Sequence, residues 1–238
     1  MVKRQVKTSQ RVHDHGEVFT SENEVNAMLD LVLNETERIE SRFLEPACGD
    51  GNFLVEILRR KLKVVDKLFG KNFEWESYSI LALSSLYGVD ILYDNVIECR
   101  DRLFEIWYKA YKKAMKSKPD EDLNKTIMHI LNHNILVGDA LTMKNNNGGP
   151  IIFSQWDMII DSKFQRRDYR LDELIEGQNK TDSSFTELTL FGNDNGDNRS
   201  DFDKQKDWIF DDETKGYIPG PIKDDYPIVE YRRLKDYE

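Results

Sequence analysis

The stretch Phe43-Leu44-Glu45-Pro46-Ala47-Cys48-Gly49-Asp50-Gly51-Asn52-Phe53 governs the reading of the whole chain. An apolar run over residues 42–47 predicts a short strand that ends in an acid and a proline. A tight glycine turn follows. Phe53, Leu54, Ile57, Leu58, Leu62 and Val65 then fall on one face of a long helix. Gly49 and Gly51 can take backbone angles closed to other residues and let a ligand approach the main chain. The helix after them points its free N–H groups at the loop. Such a strand, turn and helix is the opening unit of a nucleotide-type binding fold.

Upstream, Ser21-Glu22-Asn23-Glu24 reads as a capping box, and Val25, Met28, Leu29 and Val32 follow at helical spacing. Downstream, residues 80–86 are apolar and predict a helix. Tyr87-Gly88-Val89-Asp90-Ile91 predicts a strand ending in an acid. Residues 95–116 predict a long helix with Val96, Cys99, Leu103 and Ile106 inward, and residues 127–131 close another. Residues 134–137 predict a third strand, followed by Gly138-Asp139. Residues 156–161 predict a fourth that ends at Asp161. Strands alternating with helices imply an α/β fold, a doubly wound parallel sheet of Rossmann-like type with helices on both faces. Ligands of such sheets sit at the carboxyl ends of the strands, and all four predicted ends carry an acid or a glycine turn.

Composition sets the bounds. The chain has 238 residues, enough for one ordinary core and an appendage. No apolar run approaches the roughly 20 residues a membrane span needs, and the basic, polar start has no apolar stretch behind it, so no membrane association or secretory signal is expected. Two cysteines, Cys48 and Cys99, make no disulfide framework and suit a reducing cytoplasm. The net charge is -10, against the basic surface usual for a protein that grips DNA alone. The acidity is uneven, because residues 182–225 hold 12 acids and 5 bases. The remainder can still present basic faces, with Lys109, Lys112, Lys113, Lys116 and Lys118 as one candidate, although a solvated helix face explains them more simply.

Taken together, these residues resemble the SAM-dependent DNA methyltransferases, in particular the adenine-N6 class, and most closely the modification subunits of restriction systems. The resemblance covers about residues 10–165. His15-Gly16-Glu17-Val18-Phe19-Thr20 is similar to the family's N-terminal motif, which closes over the methionine end of S-adenosylmethionine (SAM) and assigns Phe19 and Thr20 to the cofactor. Residues 45–51 match the glycine-rich motif, which places Glu45, Ala47, Gly49 and Gly51 against the amino acid portion of SAM. Residues 87–91 match the next motif, where Asp90, followed by Ile91, holds the ribose hydroxyls. Residues 134–141 match the one after, where Asp139, followed by Ala140, takes the cofactor's adenine amino group. A ribose diol offers two donors, and one carboxylate can accept both.

The resemblance implies a catalytic motif after the fourth strand: an Asn, Asp or Ser, two prolines and an aromatic that stacks on a base flipped out of the duplex. Here the sequence is Asp161-Ser162-Lys163-Phe164. Asp161 and Phe164 fit the outer two roles, but both prolines, which would rigidify the loop, are missing. About 70 residues follow, acidic on balance, with no evident DNA-reading region. Arg166, Arg167 and Arg170 are candidates for phosphate contact or for an ordinary surface helix. The expected function is therefore adenine-N6 DNA methylation as a subunit needing a specificity or other partner. The alternative is an inactive SAM-binding or regulatory subunit of a restriction or defence complex.

The expected organisation is an N-terminal arm and helix over residues 1–36, a core over 37–175, and an acidic, partly disordered or partner-binding tail over 176–238. Phe185, Leu188, Leu190, Phe191, Trp208, Ile209 and Phe210 are apolar residues in that tail, suited to packing on the core or to anchoring a partner. His129 and His133, spaced i, i+4, can share a helix face, but neither has a carboxylate or cysteine cluster around it that would point to a metal.

Overall fold

The computed structural model describes residues 7–70, 72–175, 208–211 and 216–237. Its centre is a sheet of three parallel strands, β1 (Phe43–Glu45), β2 (Leu86–Asp90) and β3 (Ile135–Asp139), lying side by side in chain order. A two-residue strand β4 (Lys144–Asn145) returns antiparallel to β3. Ahead of the sheet run helices α1 (Ser9–His15), α2 (Glu22–Asp30) and α3 (Leu33–Thr36). The predicted capping box of α2 is present, with Ser21 and Glu24 exchanging side-chain and backbone hydrogen bonds.

Helix α4 (Asn52–Phe69) follows β1, α5 (Glu74–Ser84) precedes β2, α6 (Tyr93–Met115) follows it, and α7 (Glu121–Asn134) leads into β3. In α6, Val96, Cys99, Leu103, Trp107, Tyr111 and Ala114 recur at three- and four-residue steps and are buried. Helix α5 is buried on nearly all sides, which is why its sequence lacks a polar face. One cluster of apolar side chains joins these helices to Leu86 of β2. Lys61 of α4 is buried beneath the sheet, where its ammonium donates to the carbonyls of Ile39 and Ser41 and to Ser85 Oγ. It thereby fixes α4 to the amino ends of β1 and β2.

The fourth predicted strand is a correction to the sequence reading. It is β5 (Ile152–Ile160), and it joins β6 (Lys163–Arg170) in an antiparallel hairpin instead of extending the parallel sheet. The hairpin also packs a second apolar cluster, Ile151, Phe153 and Leu171, against Tyr87 and Val89 of β2.

Contacts at its start, middle and end define its path. Ile151 donates its N–H to Met143 and its side chain faces Gly138, near the carboxyl end of β3. The Phe153 ring meets Tyr87 edge-on at 5.3 Å. Gln155 then accepts from Arg42 at 2.9 Å, and the Trp156 indole donates to Asn134 at 3.1 Å. Arg42 and Asn134 stand just before β1 and β3, so β5 runs from the carboxyl to the amino end of the sheet.

Residues 222–237, grouped by composition with the acidic tail, pack on this core. Strand β7 (Trp208–Asp211) pairs with β8 (Gly216–Pro219), and β9 (Val229–Glu230) pairs with β6. A 3-10 helix, Tyr231–Asp236, buries Tyr231 and Leu234 in the main cluster. The apolar residues Phe185, Leu188, Leu190 and Phe191 lie outside the described residues. The three arginines expected either to touch phosphate or to lie on a surface helix are on β6, paired within the chain: Arg166 with Asp168, Arg167 with Asp157, and Arg170 with Asp172.

His129 and His133 stack on each other at 4.3 Å, and both lie edge-on to Trp156. Burial first, and then the neighbouring His133 and Arg166, pull His129 down to about 4. The neutral ring therefore stabilises the fold fully above its unfolded value of about 6.5. That contribution is lost as pH falls from about 6.5 towards 4, where the unfolded chain binds the extra proton. Melting temperature is expected to drop between pH 7 and 5.5, and His129→Phe to flatten that slope. An unchanged slope in the variant would remove His129 as its source.

Candidate functional site

The carboxyl ends of β1, β2 and β3 bring together most of the predicted cofactor residues. After β1 the chain turns through Cys48, whose N–H donates to Val89 at 2.9 Å, and closes with Gly51 N–H to Cys48 at 2.8 Å. Gly49 and Gly51 have φ of +51° and +86°. A side chain at Gly51 would place its Cβ 2.5 Å from the Cys99 sulfur, and one at Gly49 would meet the Phe19 ring at 3.0 Å. Both backbone angle and space therefore call for glycine. Cys48 is buried, and a hydrogen bond with Cys99, followed by burial, pushes its thiol up, away from nucleophile character. Arg102 fastens the turn by donating to the Asp50 carbonyl and to Asn52, and it pairs with the Asp50 carboxylate at 2.8 Å.

Asp90 closes β2 and reaches across to the turn. Its Oδ2 accepts the Gly49 N–H at 2.9 Å, and its Oδ1 accepts the Leu92 N–H at 2.8 Å and the Asn95 amide at 3.2 Å. Ile91 beside it is exposed. Glu45, at the end of β1, is pushed up by burial against the pull of the Ala47 N–H. Asp139, at the end of β3, accepts the Leu141 N–H at 2.9 Å, which holds it below the usual carboxylate range. Ala140 is half-buried and Leu141 almost fully exposed. The edge thus offers three carboxylates on adjacent strands, a glycine turn at a helix start, and uncovered apolar side chains after β2 and β3.

The N-terminal arm lies over this edge. Phe19 is buried against Gly49, and the Thr20 carbonyl accepts from Asn52 at 3.0 Å. Arg11 pairs with both oxygens of Glu17, at 2.7 and 2.6 Å, and with Asp94 at 2.6 Å. Lys7 pairs with Asp94 and Glu98. Burial disfavours ionised Glu17, but the hydrogen bonds from Arg11 and Asn95 outweigh it and hold its carboxyl low. The Arg11 hydrogen bond, followed by Lys7, holds Asp94 at about 2. The sequence motifs include Glu17 without giving it a role, and they leave Asn95 and Arg102 unmarked. Only the position of Asn95 in the first turn of α6, five residues after Asp90, hinted at its place.

The two residues expected to act on the substrate are elsewhere. Asp161 is exposed and forms, with Ser162, the two-residue turn of the β5–β6 hairpin, at φ +49°. Asp is among the few residues that tolerate this left-handed angle. Phe164 has no exposed surface and meets Tyr231 edge-on at 6.4 Å. Because β5 runs towards the amino ends, both sit past the edge opposite Gly49, Asp90 and Asp139. Phe164 is thus a core side chain and Asp161 a hairpin-turn residue, both away from the strand ends that gather the cofactor residues. Among the described residues no group of three or more His, Cys, Asp or Glu side chains converges as a metal site, and no helix is long and apolar enough to cross a membrane. Comparison with protein-family models, curated proteins and solved structures finds no match.

Proposed function

We propose that this chain binds SAM at the carboxyl edge of β1, β2 and β3 and serves as the cofactor-holding subunit of a DNA-modifying or defence assembly. The observation that carries the reading is the junction of Gly49 and Asp90, where a positive-φ glycine and a strand-end carboxylate meet beside Asp139 on the next strand. Asp90 is the acceptor for a ribose diol, Asp139 for an adenine amine, and the glycine turn takes the amino acid end, in a Rossmann-like arrangement. Ile91 and Leu141 flank the place for the purine. Bound SAM supplies an electrophilic methyl group. This chain's own residues bind and orient, and Phe19 covers the loop.

The placement of Asp161 and Phe164 favours the second form of the reading, a subunit that does not complete methyl transfer alone. The groups that hold the target adenine would then come from a partner that also reads the DNA. Calorimetry with SAM and its demethylated product tests the proposal. Asp90→Ala is expected to weaken binding by about 1.5–3 kcal/mol, the range for hydrogen bonds to a charged group, with the fold intact. No heat at millimolar SAM with folded wild-type protein would end the SAM reading. Labelled-methyl transfer to DNA by the purified chain alone would end the partner requirement.

A further inference from the structure

We infer that Asn95 is a positioning residue that relays occupancy of Asp90 to the N-terminal arm; the inference rests on the nucleoside site proposed above. Asn95 is almost completely buried, at 1% exposure, and uses both ends of its amide. Its Oδ1 accepts from Lys7 at 2.8 Å and Arg11 at 3.1 Å. Its Nδ2 gives one hydrogen to Glu17 Oε1 at 2.7 Å and the other to Asp90 Oδ1 at 3.2 Å. One neutral side chain therefore joins the cofactor-site carboxylate to both signs of charge on the arm.

The shared amide gives the relay a direction. Asp90 receives three donors, from Gly49, Leu92 and Asn95, and they fix the plane in which its remaining lone pair meets a diol. Asn95 sets Oδ1 with one hydrogen and holds Glu17 with the other, so the carboxylate is oriented for a diol when the arm is in place. Glu17 is held in turn by Arg11, and the same arm places Phe19 over Gly49. Diol binding at Asp90 thus tightens the arm, and by linkage the tightened arm raises affinity for the diol.

The test is hydrogen exchange of the arm, residues 9–20, with and without SAM, in wild type, Asn95→Ala and Glu17→Ala. Glu17 lies on a loop outside the helices, so its variant remains informative if Asn95→Ala folds poorly. In wild type, SAM is expected to slow arm exchange roughly fivefold to tenfold, the range of ordinary coupling. In both variants the unliganded arm exchanges faster, the SAM-induced slowing disappears, and the dissociation constant rises by a similar factor. Equal slowing in wild type and variants, with SAM bound throughout, overturns the relay. Wild type that binds no SAM, while the variants still free the arm, overturns the ligand reading and the relay's trigger but leaves the mechanical link standing. An unliganded arm unmoved by either substitution removes the link itself.

Discussion

Phe164→Ala is expected to cost about 3–5 kcal/mol of folding stability, the range for truncating a buried aromatic. The side chain has no exposed surface, stands opposite Met158 and Val229 in the sheet, and packs edge-on against Tyr231. Truncation leaves a cavity where β6 and the C-terminal 3-10 helix meet, and neither side is free to collapse into it. Against a total of roughly 5–15 kcal/mol for a domain, this is a large fraction. Denaturant unfolding followed by far-UV circular dichroism gives the value. An aromatic poised to stack on a flipped base would be uncovered, and its removal would cost little stability. A change under about 1 kcal/mol would show that Phe164 does not anchor β6 and the 3-10 helix as described.

The contrast shows what was legible in the sequence. The glycine turn, the capping box and the strand ends at Asp90 and Asp139 were readable because each is set by local rules: positive φ, an unpaired helix N–H, or an apolar run that stops at an acid. Helices α4 and α6 followed from periodicity. The fate of residues 156–164 did not, because an apolar strand followed by an acid looks the same whether it extends a parallel sheet or turns back as a hairpin. Asp161 fits both, as a strand-end acid and as a left-handed turn residue. The choice rests on long-range packing of Phe153 on Tyr87 and Trp156 on Asn134, which no local pattern encodes. Asn95 was hidden for the same reason, since its partners Lys7, Arg11 and Glu17 are about 80 residues away. Residues 226–237 were grouped with the acidic segment before them although Tyr226, Tyr231 and Leu234 are buried, and those side chains are what hold the segment down.

Deleting residues 226–238 is expected to leave no stably folded protein. Glu76 of α5 is buried and accepts hydrogen bonds from Tyr111 at 2.9 Å, from Tyr231, and from Arg232 at 2.5 Å. Two of those donors belong to the deleted segment. Burial, followed by Glu76, pushes Tyr231 well above its usual value, so its hydroxyl stays protonated and donating. Stripping a buried charge of its partner costs about 3–5 kcal/mol. Exposing what Tyr231 and Leu234 cover adds about 1.5–3 kcal/mol for each apolar side chain. Tyr226 leaves as well, and with it the hydroxyl that bonds Asp168 at 3.0 Å and the ring on which Arg166 lies at 4.5 Å. The sum rivals the whole stability of an ordinary domain. Tyr231→Phe removes one hydroxyl and nothing else, and about 1–3 kcal/mol is expected from leaving Glu76 short of a donor. A chain ending at residue 225 that melts within a few degrees of the full protein would show that residues 226–238 are an appendage to a core complete before them.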